Sequence, residues 1–155
     1  MAFTVLRSTA LAPDLAWASL ADLAEHTHDV PFTDVVVPDG GLVLGAEVVA
    51  STRLGPLVAA DRMLVTALEP GRRLRLHKTG RLLRGWAEIT VAEDPRRPGG
   101  AVVSWVEELW LPGLARVTRP LGDRLGRLLF GRVVDGVLAR ATARVAGQPD
   151  GRDTP

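Results

Sequence analysis

Residues 120–145 read PLGDRLGRLLFGRVVDGVLARATARV, and how this stretch folds decides the architecture. Leu121, Leu125, Leu128, Leu129, Val133, Val137, Ala141 and Val145 recur at three- and four-residue intervals, the period of a helix with one buried face. Residues 32–111 before it read as successive strands and turns. A long helix after a meander of strands buries such a stripe by lying across the sheet, and a helix across a curved sheet leaves a wedge of space. Gly122, Gly126, Gly131 and Gly136 need a reason, since each glycine costs about 1 kcal/mol relative to alanine in a helix interior. Close approach to the sheet or room left for a ligand would explain them, and a kink near Gly131 is the alternative. Gly122 and Gly126 favour close approach near the helix start.

Outward from the helix, the chain punctuates itself with glycine and proline. Pro112-Gly113 ends a strand over 101–111, and the loop 94–100 joins it to a strand over 82–92. A strand over 73–79 follows the turn Glu69-Pro70-Gly71. Strands over 57–68 and 42–53 meet at Gly55-Pro56. Pro38-Asp39-Gly40-Gly41 is a turn because proline presets φ and glycine accepts positive φ. A strand over 32–37 precedes it. Pro13 opens one helix or two short ones over 13–27, with Leu15, Trp17, Leu20 and Leu23 at helical spacing, and residues 3–10 form the first strand. The order is strand, helical pair, six strands, helix. Residues 1–147 are expected to form one domain and 148–155 a polar, disordered tail.

With 46% apolar and 24% charged residues the composition is that of an ordinary globule, and no apolar run approaches the ~18 residues of a membrane span. No cysteine is present, which excludes disulfides, thiol nucleophiles and thiolate metal sites. Met1–Arg7 is too short and too early in charge for a secretory signal, so cytoplasm is the default expectation. The net charge of +1 conceals an acidic first half and a basic second half. Residues 72–84 carry six Lys/Arg and no acid, and 116–144 carry seven Arg against Asp123 and Asp135. Halves of opposite sign can pair within one domain, so the arginines read as the solvated back of a helix, with no nucleic-acid partner expected.

Three segments carry a family resemblance. Thr9-Ala-Leu-Ala-Pro-Asp-Leu-Ala-Trp17 is similar to a first strand running into "A-P-x-x-x-hydrophobic-W". Val65-Thr-Ala-Leu-Glu-Pro-Gly-Arg-Arg-Leu74 is similar to "V-x-x-hydrophobic-[DE]-P-P-x-x-L", with Gly71 in place of the second proline. Gly100-Ala-Val-Val-Ser-Trp105 is similar to "G-G-T-x-hydrophobic-T-W", with Ala101 in place of threonine. Their order and spacing over residues 3–146 resemble the SRPBCC (START-like, birch-pollen-allergen-like) superfamily, in its polyketide cyclase/dehydrase-type group. The resemblance implies an α+β helix-grip fold. A seven-stranded antiparallel sheet would curve around the long C-terminal helix, with two short helices between strands 1 and 2 and an apolar pocket inside. It implies no single reaction, because members bind lipids, quinones or polyketides, some catalyse cyclisation or dehydration, and others bind chaperones.

Strand alternation predicts what faces that pocket, the more apolar set of each strand turning inward. Leu83, Gly85, Ala87, Ile89 and Val91 form one such set, and Val103, Trp105, Leu109 and Leu111 another, which also carries Glu107. Leu74 and Leu76 bring Lys78 with them, and Leu57, Met63 and Val65 bring Asp61. Three charges therefore fall on faces chosen for burial. Either they reach solvent at strand ends or the cavity mouth, or they serve a ligand's polar head, in which case Glu107 acquires a raised pKa suited to acid–base work.

The candidate ligand-binding residues are Trp17, Met63, Leu76, Ala87, Ile89, Trp105, Leu109, Leu125 and Leu129, and the candidate catalytic pair is Glu107 with Lys78. Trp17 and Trp105 read equally as core. Trp86 falls on the outward set, and Trp110 stands near the mouth. His26-x-His28 shares no helix face and completes no metal motif, so both read as hydrogen-bonded surface residues, and no metal or cofactor is expected. His77 points outward. The leading expectation is a protein, monomer or homodimer, that binds a small hydrophobic molecule (lipid, quinone or aromatic polyketide-like) in an internal cavity. A cyclase/aromatase or dehydratase using Glu107 and Lys78 is the second reading, weakened by the absence of tyrosine and of an inward histidine. A protein- or membrane-interaction module, making transient contact with a membrane surface, is the third.

Overall fold

The structure is a computed structural model, and it describes residues 2–147. The tail expected to be disordered, 148–155, lies outside the described residues. The chain runs β1 (Phe3–Thr9), α1 (Pro13–Ala21), a 3₁₀ helix (Leu23–His28), β2 (Thr33–Val36), β3 (Glu47–Leu54), β4 (Leu57–Glu69), β5 (Arg73–Lys78), β6 (Arg84–Glu93), β7 (Ala101–Trp110) and α2 (Ala115–Ala146). The seven strands form one antiparallel sheet in the order β1-β7-β6-β5-β4-β3-β2. This is the expected helix-grip architecture. Consecutive strands pair as hairpins, and only β1 comes from afar, closing on β7 with Phe3 opposite Glu107.

Two boundaries differ from expectation. β3 begins at Glu47 instead of residue 42, because Gly41 and Gly45 hold φ of +73° and +84° and bend the chain before pairing starts. α2 begins at Ala115, a turn before Pro120. Pro120 therefore stands inside the helix, past its first turn, and leaves the Arg116 carbonyl without its intrahelical partner. Thr118 secures the turn, its hydroxyl accepting from Leu111 N at 3.1 Å and donating to the Leu114 carbonyl at 2.9 Å.

The stripe on α2 holds for only half its length. Val133, Val137 and Ala141 are buried together with Val134 and Leu138. Leu125, Leu128 and Val145 are exposed at 59%, 63% and 46%, contrary to expectation. The helix packs on β1, β7 and α1, and between residues 125 and 130 it turns Gly126, Leu129 and Phe130 towards the sheet, which leaves Leu125 and Leu128 exposed. The helix is continuous, and two of its glycines serve close approach: a Cβ on Gly126 would lie 2.3 Å from Phe3 Cε1, and one on Gly136 would lie 2.2 Å from Asp29 Oδ1, whereas one on Gly131 would meet only the Arg7 guanidinium at 3.4 Å. Opposite charges of the two halves of the chain do pair here. Arg140 grips Asp29, with its Nη1 2.7 Å from Oδ1, and Arg144 reaches Glu25 at 2.8 Å, tying α2 to the 3₁₀ helix.

Candidate functional site

Between the sheet and the helices lies a cavity of about 240 Å³, smaller than the roughly 300–1,000 Å³ of pockets that enclose drug-sized ligands. Its walls come from β2 to β7, the 3₁₀ helix and the middle of α2. Of the residues expected to bind ligand, Met63, Leu76, Ala87, Trp105, Leu109 and Leu129 line it. Three do not. Trp17 is half-buried at the α1 packing surface, Ile89 is core one pair further along β6, and Leu125 lies on the exposed turn of α2 described above. Trp110 also lies outside the lining.

The three inward charges meet in this cavity. Lys78 Nζ bonds Asp61 Oδ2 and lies 3.1 Å from Glu107 Oε1, and the indole N–H of Trp105 donates to Glu107 Oε2 at 3.0 Å. Side-chain exposure is 5% for Lys78, 14% for Asp61 and 1% for Glu107, so the solvent-reaching alternative fails for Lys78 and Glu107. Strand register explains the meeting. Lys78 on β5 sits opposite Gly85 on β6, and Ala87 sits opposite Glu107 on β7. With only glycine and alanine on the intervening strand, the Lys78 and Glu107 side chains meet over β6, together bridging about two strand spacings, or roughly 9.6 Å. Gly85 is itself obligatory. It holds φ +135°, and a Cβ there would fall 1.7 Å from the Glu108 carbonyl oxygen.

Burial and pairing pull these groups in opposite directions. Burial alone would drive the Lys78 pKa down, but Glu107 and Asp61 overcome it and hold the ammonium above its ordinary value. Burial drives the Glu107 carboxyl up, and Lys78 and the Trp105 N–H only partly pull it back. Asp61 Oδ1 is buried without a partner.

Thr33 and Thr52 line the same cavity, and sequence reasoning passed over them. They sit opposite each other in the β2–β3 register, their hydroxyls 2.7 Å apart. Their strands mix Thr, Ser, Val and Ala too evenly for alternation to name an inner face. His26 corrects the sequence reading outright. It is 5% exposed, tilted against the Trp105 ring at 5.7 Å, and its Nε2 is buried without a partner. Burial lowers its pKa to about 4, against the opposing pull of Asp29 and Asp22. The signal was present in Leu20, Leu23 and His26, three apart, the repeat of the 3₁₀ helix that two of them occupy. The side chain of His28 is outside the described set. Trp86 faces outward as expected, with the Arg75 guanidinium 4.5 Å from its ring centre. No cluster able to hold a metal occurs among the described residues, and none of the described helices is long and apolar enough to cross a membrane.

Comparison with solved structures decides the fold. TTHA0849 from Thermus thermophilus superposes with a TM-score of 0.73 at 13% identity, covering 96% of this chain and 100% of that one. Ara h 8.0201 superposes at 0.71 with 10% identity, covering 92% and 98%. The chain has the SRPBCC (START-like) helix-grip fold. Another SRPBCC-type neighbour is the Zhui aromatase/cyclase from a Streptomyces species, with a TM-score of 0.69, 16% identity and coverage of 95% and 98%. No protein-family model matches the chain, and no curated protein is detectably similar to it in sequence. At these identities the likeness extends to the SRPBCC architecture and no further.

Proposed function

We propose that this protein binds a small hydrophobic molecule in the cavity between the sheet and α2. The observation that carries the reading is a cavity whose wall is apolar except at one buried charged cluster and the Thr33–Thr52 pair, the usual make-up of a small-molecule site. A buried ion cluster is a poor route to stability, since well-packed apolar side chains in its place are often no worse. Its place in a cavity wall therefore supports a role in binding. The test is native mass spectrometry of freshly purified protein, together with titration of the apolar dye Nile red. Leu129→Trp enlarges a wall side chain on α2, away from the strands that carry the charged cluster, and should abolish dye binding while the circular dichroism spectrum stays native. Undiminished binding by that variant would sink the reading.

The raised pKa of Glu107 on the cavity wall supports a second reading, an acid–base enzyme of the cyclase or dehydratase kind. On that reading Glu107 exchanges protons with the bound molecule, and Lys78, held protonated, steadies the negative charge left behind. Incubation with a poly-β-ketone surrogate, followed by mass spectrometry of the products, tests it. Glu107→Gln should stop turnover and spare dye binding, and equal turnover by both proteins would reject the role.

A further inference from the structure

The polar atoms of the cavity wall also bear on the chemical class of its ligand, an inference that rests on the binding reading above. Five polar side chains line the cavity, Thr33, Thr52, Asp61, Lys78 and Glu107, and Trp105 adds an indole N–H. Every donor among them is spent inside the protein. Lys78 has three N–H groups, and it meets Asp61 Oδ2, Glu107 Oε1 at 3.1 Å and Met63 Sδ at 3.8 Å. The indole donates to Glu107 Oε2. The Thr33 hydroxyl donates to the Pro31 carbonyl at 3.2 Å and lies 2.7 Å from the Thr52 hydroxyl, contacts satisfied together when Thr52 donates to Thr33. What remains unspent is acceptor capacity, on Asp61 Oδ1, which has no partner, and on the lone pairs of Thr52. Both oxygens of Glu107 face N–H donors, the arrangement of an ionised carboxylate. The cluster then holds two negative charges against one positive.

We infer that the cavity takes a compact apolar molecule whose polar head donates hydrogen bonds, an ammonium in preference to a hydroxyl, and that it rejects carboxylates. An ammonium brings donors to the unpartnered Asp61 oxygen and cancels the surplus negative charge. A hydroxyl brings one donor and no charge. A carboxylate meets no free side-chain donor and adds a second uncompensated charge in a low-dielectric space. The net charge of the chain is +1, so its long-range field does not produce this order.

The experiment is calorimetric titration of the full-length protein at neutral pH with hexylamine, hexanol and hexanoate, which share one chain and differ in the head, beside Nile red, which carries no donor. Hexylamine should bind at least about tenfold more tightly than hexanoate, the worth of one charge-assisted hydrogen bond, with hexanol between them. Asp61→Asn should shrink the amine-to-carboxylate ratio by at least about the same factor, since it removes the surplus charge and introduces a donor. Hexanoate binding as tightly as hexylamine would overturn the inference, as would a ratio unchanged in a folded Asp61→Asn protein. The order in the native protein is decisive even if that variant fails to fold. Nile red binding without an amine preference removes only this inference. No binding by any of the four probes removes the binding reading with it.

Discussion

His26 and Lys78 are two buried bases connected to the same indole, and they meet burial in opposite ways. His26 leans on the Trp105 ring, has no bonded carboxylate, and is held neutral with a pKa of about 4. Lys78 is as deeply buried, yet two carboxylates hold it charged, and one of them takes the Trp105 N–H. The difference teaches that burial by itself does not set the charge of an interior base; the partners within reach do. The two solutions also fail differently, and that makes them testable.

The largest effect should come from removing the partner that holds the cluster together. Lys78→Met leaves Asp61 and Glu107 buried beside each other, and urea unfolding should show a loss of about 3–5 kcal/mol. Replacing all three at once, Asp61→Leu with Lys78→Met and Glu107→Leu, should recover most of that loss, because an apolar set needs no partners. A triple variant as unstable as the single one would show that the cluster is a net stabiliser and break the comparison.

The pH response of His26 should come next. Its folded pKa lies below the unfolded value of 6.5, so the unfolded chain binds more protons and stability falls as pH drops from 6.5 towards 4. The full loss is on the order of 3 kcal/mol. Glu107 titrates with the opposite sign: its pKa is raised, so its contribution declines as pH climbs above 4.5. The difference between native protein and His26→Leu isolates the histidine, and the variant should lose the acid-side slope. Identical pH profiles would mean that His26 is not the buried neutral base described above. For Lys78, whose pKa is also raised, the contribution is complete below 10.5 and is lost only as pH rises beyond it.

A solvated pair sharpens the contrast from the other side. Arg7 holds Asp135 through two hydrogen bonds, at 2.6 and 3.1 Å, but the side chains are 39% and 55% exposed. Asp135→Asn should therefore cost less than about 1 kcal/mol, and less still in high salt. A thermal melt showing a loss comparable with Lys78→Met would mean that geometry outweighs burial in this molecule.

The inner face of the sheet was legible where alternation was strong. β5, β6 and β7 show apolar sets broken only by Lys78 and Glu107, and a side-chain period of two leaves no other face for them. β2 and β3 lack that contrast, so Thr33 and Thr52 were silent. His26 was misread because the two-residue spacing to His28 hid its three-residue spacing to Leu23. On α2 the stripe was real, but its period says which residues share a broad face and nothing about which edge of that face meets the sheet; in the first half it is Gly126, Leu129 and Phe130. Hence Leu125 and Leu128 looked like Val133 and Val137 until the sheet was in place.

Local chemistry determined what the sequence could determine by itself: the succession of strands and helices, set by turn residues and periodicity, and the inward parity of Asp61, Lys78 and Glu107. Tertiary structure alone decided that the three charges touch, since the contact depends on the register of four strands and on small residues at Gly85 and Ala87. It also decided which residues of the α2 stripe are buried and that His26 lies inside. Each of these depends on distances between segments far apart in the chain, and a one-dimensional pattern carries no such distance.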